Sequence, residues 1–163
     1  GQGGGEPLES IMFGGRFSNT LDDKGRVAIP VKYREALAAS GQDRIVVTRF
    51  KINGFPCLEA YDGNAWNDLV TSVQASKAGA FGMSRAMFES VYIGEAQLCQ
   101  PDKQGRILLP PTLRAHAQLS TEVVFVGVGN RFQLFDPAIR EKQTEQFFEQ
   151  LGENPDMLND VGR

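Results

Sequence analysis

The stretch LDDKGRVAIP begins at Leu21, and the chain reads PDKQGRILLP from Pro101. Asp22, Gly25, Arg26, Pro30 and Arg34 recur as Asp102, Gly105, Arg106, Pro110 and Arg114 at a constant offset of 80. A turn signal, two charges and a proline are kept, while the apolar residues between them vary. One short chain therefore uses one local geometry twice, and internal repetition of this kind restricts the fold more than composition does. Past Arg114 the offset shrinks: RIVVT from Arg44 resembles EVVFV from Glu122, and LEAYD from Leu58 resembles FQLFD from Phe132. Each half reads strand, turn, strand, helix, strand, turn, strand, helix start.

Local physics supports that reading. Gly25 and Gly105 stand where a turn needs positive φ, which costs glycine nothing sterically. RVAI and RILL follow as short β-runs. Pro30 and Pro110 end them and suit the first turn of a helix, where no N–H is needed. Ile29, Tyr33 and Leu37 then fall four apart, as do Leu109, Leu113 and Ala117, giving each helix one apolar stripe. Gly41 suits the end of the first helix. IVVT and VVFV read as buried strands, and turns at KINGF and VGNR lead into second, alternating runs. Asp62 and Asp136 read as helix N-caps. The span from Asn64 to Tyr92 has a helical pattern with breaks at Gly79 and Gly82. A further helix runs from Pro137 to Leu151, with a loose acidic tail after Asn154-Pro155.

This gives an α+β, β-rich chain divided as follows. Residues 1–11 form a glycine-rich flexible extension or expression remnant, with Met12-Phe13 as the native start. Residues 12–62 are the first half, 63–92 a helical connector, 93–136 the second half, and 137–163 the C-terminal helix and acidic tail. A half of about fifty residues buries too little apolar surface to be secure alone. The two halves are expected to share one core as a pseudo-twofold unit, with intertwined strands.

Composition narrows the function classes. With 41% hydrophobic and 23% charged residues the 163-residue chain is globular in type. No apolar run approaches the roughly 20 residues that span a membrane. Cys57 and Cys99 lack metal-ligand spacing and read as reduced structural thiols of a cytoplasmic protein. His116 is the single histidine and reads as a helix-surface or packing residue, so no metal or cofactor is expected. The net charge is −3, yet it is uneven. Between Gly15 and Lys51 eight basic side chains face four acidic ones, whereas from Glu141 to Arg163 six carboxylates face two basic residues. Such asymmetry leaves room for a polyanion-facing surface on an acidic chain, as it does for an ordinary solvated surface.

Three chemistries suit the doubled motif. Paired carboxylates at Asp22 and Asp102 would serve catalysis, but each has an arginine four residues on that keeps it ionised. No nucleophile–base or phosphate-cradling pattern accompanies them. A purely structural bridge of Asp to Arg across the turn explains both copies. The third chemistry adds to the second. A turn held by Asp22 presents Arg26 beside Lys24, and one held by Asp102 presents Arg106 beside Lys103. Arginine grips phosphate or reaches guanine O6 and N7 with two hydrogen bonds. Two such loops side by side make a surface for a DNA groove. Arg34 and Arg114 read as phosphate contacts or core-edge pairs, and Arg16 as a further phosphate contact.

MFGGRFSNTLDDKGRVAIPVKYREAL, followed by LLPPTLRAHAQL, resembles the MraZ family of bacterial transcriptional regulators, from Met12 to about Gln150. The family's doubled Asp-x-x-x-Arg signature is matched by Asp22, Lys24, Gly25 and Arg26, and by Asp102, Gly105 and Arg106. Gly14 stands where the family commonly has an arginine, and Pro101 where it has an apolar residue. The resemblance implies two AbrB-like swapped-hairpin halves around a small barrel-like core with flanking helices. It also implies a ring-like homo-oligomer, associated with the nucleoid, on double-stranded promoter DNA. Its targets there are short G-rich direct repeats upstream of the division and cell-wall gene cluster. AbrB-like antitoxins, and modules that only assemble or bind protein partners, are the alternatives.

Overall fold

The computed structural model describes residues 13–76 and 84–162. The expected N-terminal extension and the breaks at Gly79 and Gly82 lie outside the described residues.

The first repeat supplies β1 (Arg16–Thr20), β2 (Arg26–Ala28), α1 (Val31–Ala39), β3 (Ile45–Ile52) and β4 (Phe55–Asp62). A helix α2 (Gly63–Ala75) follows, then α3 (Arg85–Phe88), which widens into a π-helical turn over Glu89–Ile93. The second repeat supplies β5 (Gln97–Leu98), β6 (Arg106–Leu108), α4 (Pro111–His116), β7 (Glu122–Gly127) and β8 (Arg131–Phe135). The chain ends on α5 (Pro137–Glu153) and a short 3₁₀ turn, Asn159–Val161. None of the described helices is long and apolar enough to cross a membrane.

Six strands form one sheet in the order β1-β7-β8-β4-β3-β5, and β2 and β6 form a separate two-stranded ladder. The order is a near-palindrome of the two repeats. β1 pairs antiparallel with β7 of the second repeat, and β5 pairs antiparallel with β3 of the first. β4 and β8 meet at the centre, with Leu58 opposite Leu134. Every exchange that a shared core needs is thus made by backbone hydrogen bonds. Among the described residues the sheet stays open, with β1 and β5 as its edges.

The main core lies between the sheet, the ladder and the stripes of α1 and α4. It gathers Val27, Ile29, Tyr33 and Leu37 with their counterparts Ile107, Leu109, Leu113 and Ala117. Rings of Phe13, Phe17, Tyr33, Phe125 and Phe132 pack within it at centroid distances of 5.0–6.3 Å, mostly edge to face. The Tyr33 hydroxyl donates to the Gly15 carbonyl at 2.7 Å. β4 departs from the alternation expected of it, because from Cys57 to Asp62 every residue is buried. One face, with Leu58 and Ala60, belongs to the main core. The other, with Glu59 and Tyr61, is covered by the connector. Both thiols are buried and unpaired, and burial pushes them up, Cys57 to about 12 and Cys99 to about 11.

Helix ends follow sequence chemistry. Asp62 accepts from the Ala65 N–H at 2.7 Å, and Asp136 accepts from Ala138 and Ile139 at 3.0 and 3.1 Å. Gly41 closes α1 at φ +73°. In the second repeat Gln118 takes that left-handed place at φ 57°. Its N–H donates to Ala115 and that of Leu119 to Arg114, so the shorter second helix stops without a glycine.

The connector is pinned by a buried carboxylate. Glu59 accepts from the Tyr92 hydroxyl, from Arg131 Nε at 2.9 Å and from Gln133 Nε2 at 2.8 Å. Tyr92 also shares a hydroxyl contact with Tyr61 at 2.6 Å, and its carbonyl accepts from Thr48. Three polar groups from two segments, the π-helical turn and β8, thus meet one buried side chain, which is the condition for burying it.

Candidate nucleic-acid interface

Each repeated loop is built on its aspartate. Asp22 Oδ1 accepts from the backbone N–H of Lys24 at 3.0 Å and of Arg26 at 2.8 Å, and Oδ2 accepts from Arg26 Nε at 2.9 Å. Asp102 does the same with Gln104 at 2.9 Å, the Arg106 N–H at 3.0 Å and Arg106 Nε at 3.0 Å. The Gly25 N–H donates back to the Asp22 carbonyl at 3.0 Å, and Gly105 to Asp102 at 3.0 Å. Pro101 before the second aspartate leaves this geometry unchanged. The backbone N–H of Arg26 is the largest influence lowering the Asp22 carboxyl below its ordinary range, and that of Arg106 acts likewise on Asp102. Both carboxylates are therefore ionised and fully engaged, so neither is available as a general acid.

The ladder decides where the arginines go. Arg26 lies opposite Leu108, Val27 opposite Ile107, and Ala28 opposite Arg106. Side chains alternate between the faces of a strand. Val27 and Ile107 are buried, which turns Arg26, Ala28, Arg106 and Leu108 outward together. Arg26 and Arg106 are diagonal neighbours on that face, about 7–8 Å apart at the Cα atoms by antiparallel geometry. Only Nε of each is held by its aspartate. The outer nitrogens of both guanidinium groups make no hydrogen bond among the described residues.

Lys24 and Lys103 are exposed on the two loops, at different places: Asp23 and Lys24 of the first correspond to Lys103 and Gln104 of the second. Arg34 and Arg114 lie beneath the loops. Arg34 Nε donates to the Ile29 carbonyl at 3.0 Å, and Arg114 Nε to the Leu109 carbonyl at 2.9 Å. Arg16 is exposed at the start of β1, opposite Val126. The loop at Asp22 leaves the other end of that strand, so the structure does not bring Arg16 to it. Arg16 instead lies where its charge acts on Arg140 of α5.

Leu108 is the residue of this face that sequence reasoning missed. It is 57% exposed and sits across from Arg26. RILL reads only as a short β-run, and the ladder register shows that one of its leucines faces out.

The family model described as "MraZ protein, putative antitoxin-like" matches residues 12–81 and 92–157, once on each repeat. The chain is 37% identical over 153 residues to the transcriptional regulator MraZ of Pseudoalteromonas translucida (strain TAC 125), covering 91% of this chain and 98% of that one. It is 36% identical over 135 residues to the transcriptional regulator MraZ of Anaeromyxobacter sp. (strain Fw109-5), covering 83% and 90%. The transcriptional regulator MraZ of Caldanaerobacter subterraneus subsp. tengcongensis is 33% identical over 154 residues, covering 91% and 99%.

Proposed function

Because this chain belongs to the MraZ family, we propose that it is a non-enzymatic, sequence-specific regulator of transcription that grips double-stranded DNA with the outward face of its β2–β6 ladder. The observation that carries this reading is the pairing of Arg26 and Arg106 on one face, each aimed by an aspartate that leaves its outer nitrogens free. A two-stranded ribbon fits the major groove. There Arg26 and Arg106 read guanine edges, each good bidentate contact giving about 1–3 kcal/mol of discrimination. Lys24 and Lys103 meet phosphates. Asp22, Gly25, Asp102 and Gly105 shape the loops, while Arg34 and Arg114 lie beneath them.

The family resemblance extends the reading. The crossed pairing of β1 with β7 and of β5 with β3 suits two AbrB-like swapped-hairpin halves around a barrel-like core. One subunit offers two small loops on an acidic chain, so useful affinity comes from several subunits of a ring-like oligomer engaging adjacent G-rich repeats. Linking sites in this way raises effective concentration. The working place is the cytoplasm, on nucleoid DNA upstream of the division and cell-wall genes.

The test is affinity for a G-rich promoter duplex and for a scrambled one, over a salt series, with the repeats reduced from several to one. Preference for the G-rich duplex, a steep fall with salt and a sharp loss on shortening are expected. The same measurement separates the second reading, an AbrB-like antitoxin or assembly module. That reading draws on the family description and on Phe147 and Phe148, 45% and 62% exposed on the acidic α5. It is favoured if scrambled DNA binds as well as G-rich DNA, or if binding is flat in salt.

A further inference from the structure

The helical arginines Arg34 and Arg114 are wired across the repeats. Gly105 takes φ +77°, and a Cβ built on it would lie 2.5 Å from Arg34 Cδ and 2.9 Å from Arg34 Nε. Gly25 takes φ +87°, and its Cβ would lie 2.7 Å from Arg114 Nε. Each arginine side chain therefore packs closely against the loop glycine of the other repeat. The backbone closes the same circuit. Arg34 Nε donates to the Ile29 carbonyl, and the Ile29 N–H donates to the Gly105 carbonyl at 2.9 Å. Arg114 Nε donates to the Leu109 carbonyl, and the Leu109 N–H donates to the Gly25 carbonyl at 2.9 Å.

The origin is the ladder. Extended by one step at each end, it sets Ile29 beside Gly105 and Leu109 beside Gly25. A helix following β2 can reach back only to the end of β2, where the second repeat's loop enters β6. The glycine leaves the space that a planar guanidinium fills, and a lysine ammonium lacks both the plane and the Nε donor.

We propose that Arg34 and Arg114 are positioning residues acting in trans: Arg34 sets the loop that presents Arg106, and Arg114 sets the loop that presents Arg26. This rests on the DNA-binding reading above for its consequence, though not for its geometry. The two repeats of one subunit are then a coupled pair of readers. Neither loop holds its shape independently of the other repeat's helix.

Two measurements test this. In the free, full-length protein, Arg34→Met is expected to shift the amide resonances of Asp102 through Arg106 and raise the Asp102 carboxyl toward 3.8. The loop from Asp22 to Arg26 should change little. Arg114→Met is expected to do the reverse. Arg34→Lys, which keeps the charge, is expected to behave like Arg34→Met and also guards against a variant that folds poorly. On DNA, double-mutant cycles read the same wiring. Arg34→Met added to Arg106→Ala should change affinity less than twofold. Added to Arg26→Ala, it should lower affinity by its full single-variant factor. Disturbance confined to the same repeat, equal disturbance of both loops, or full rescue by Arg34→Lys overturns the proposal. If Arg26→Ala and Arg106→Ala both leave DNA affinity intact, the interface reading fails instead, and the resonances of the free protein still decide the wiring.

Discussion

Asp22 holds Arg26 by two bonds of different kinds, one from the backbone N–H at 2.8 Å and one from side-chain Nε at 2.9 Å. The first shapes the turn and the second aims the guanidinium. The two functions therefore separate on mutation. Arg26→Ala removes a partly exposed ion pair, which contributes little to stability. It should fold normally and lose DNA affinity. Asp22→Ala releases two turn N–H groups as well, and should lower both stability and affinity. Urea unfolding beside duplex binding checks this. Equal unfolding of both variants, with affinity unchanged in the folded fraction, would leave only a structural bridge.

Acid should loosen the loops late. Asp22 and Asp102 are lowered from the ordinary 3.8, first by the backbone N–H of their arginines. A carboxyl depressed in the folded state supports that state above its unfolded value, and the support fades as pH falls through the folded value. The loops should hold their form from neutrality down past pH 3.8 and open only below it. Carbon-detected NMR titration of the two side chains reads this directly, and an apparent value at or above 3.8 for either would contradict it.

The buried carboxylate of β4 that pins the connector gives a stability effect remote from DNA. Glu59→Leu removes the shared acceptor of Tyr92, Arg131 and Gln133. Breaking a buried pair by deleting one partner costs about 3–5 kcal/mol, and the lower end applies because Arg131 can turn toward water. Tyr92→Phe loses one hydroxyl and should cost about 1–3 kcal/mol. Chemical denaturation measures both. The affinity of the remaining folded protein should stay at the wild-type value, since neither residue reaches the ladder face.

The repeat made the loops and helix starts legible because each depends on residues near in sequence: an aspartate, a glycine at positive φ, a proline after a short strand. The caps at Asp62 and Asp136 are legible for the same reason. What the sequence hid depends on pairing between distant strands. Nothing local to β4 says that both its faces are covered, or that Glu59 will be met by Tyr92, Arg131 and Gln133. Nothing local to Arg34 says that its neighbour is Gly105. Leu108 is the sharpest case, because its side depends on the register of β2 against β6, and a one-residue slip would exchange it with Ile107.

Leu108 also allows charge and apolar contact to be told apart on the same face. A phosphate contact releases counterions, with a log–log slope of roughly −0.9 per neutralised phosphate. Lys24→Ala should therefore weaken binding to cognate and scrambled duplexes alike and flatten the salt slope by about one unit for each subunit engaged. Leu108 carries no charge, so Leu108→Ala should leave the slope unchanged. Its methyl groups lie beside Arg26 on the face proposed to enter the groove, where apolar side chains distinguish the thymine methyl. The expected loss is in preference among duplexes that differ next to the guanine read by Arg26, not in general affinity. The measurement is binding of wild type, Lys24→Ala and Leu108→Ala to paired duplexes over a salt series. A changed slope for Leu108→Ala, or an unchanged one for Lys24→Ala, would show that this face does not meet DNA in the orientation the ladder implies.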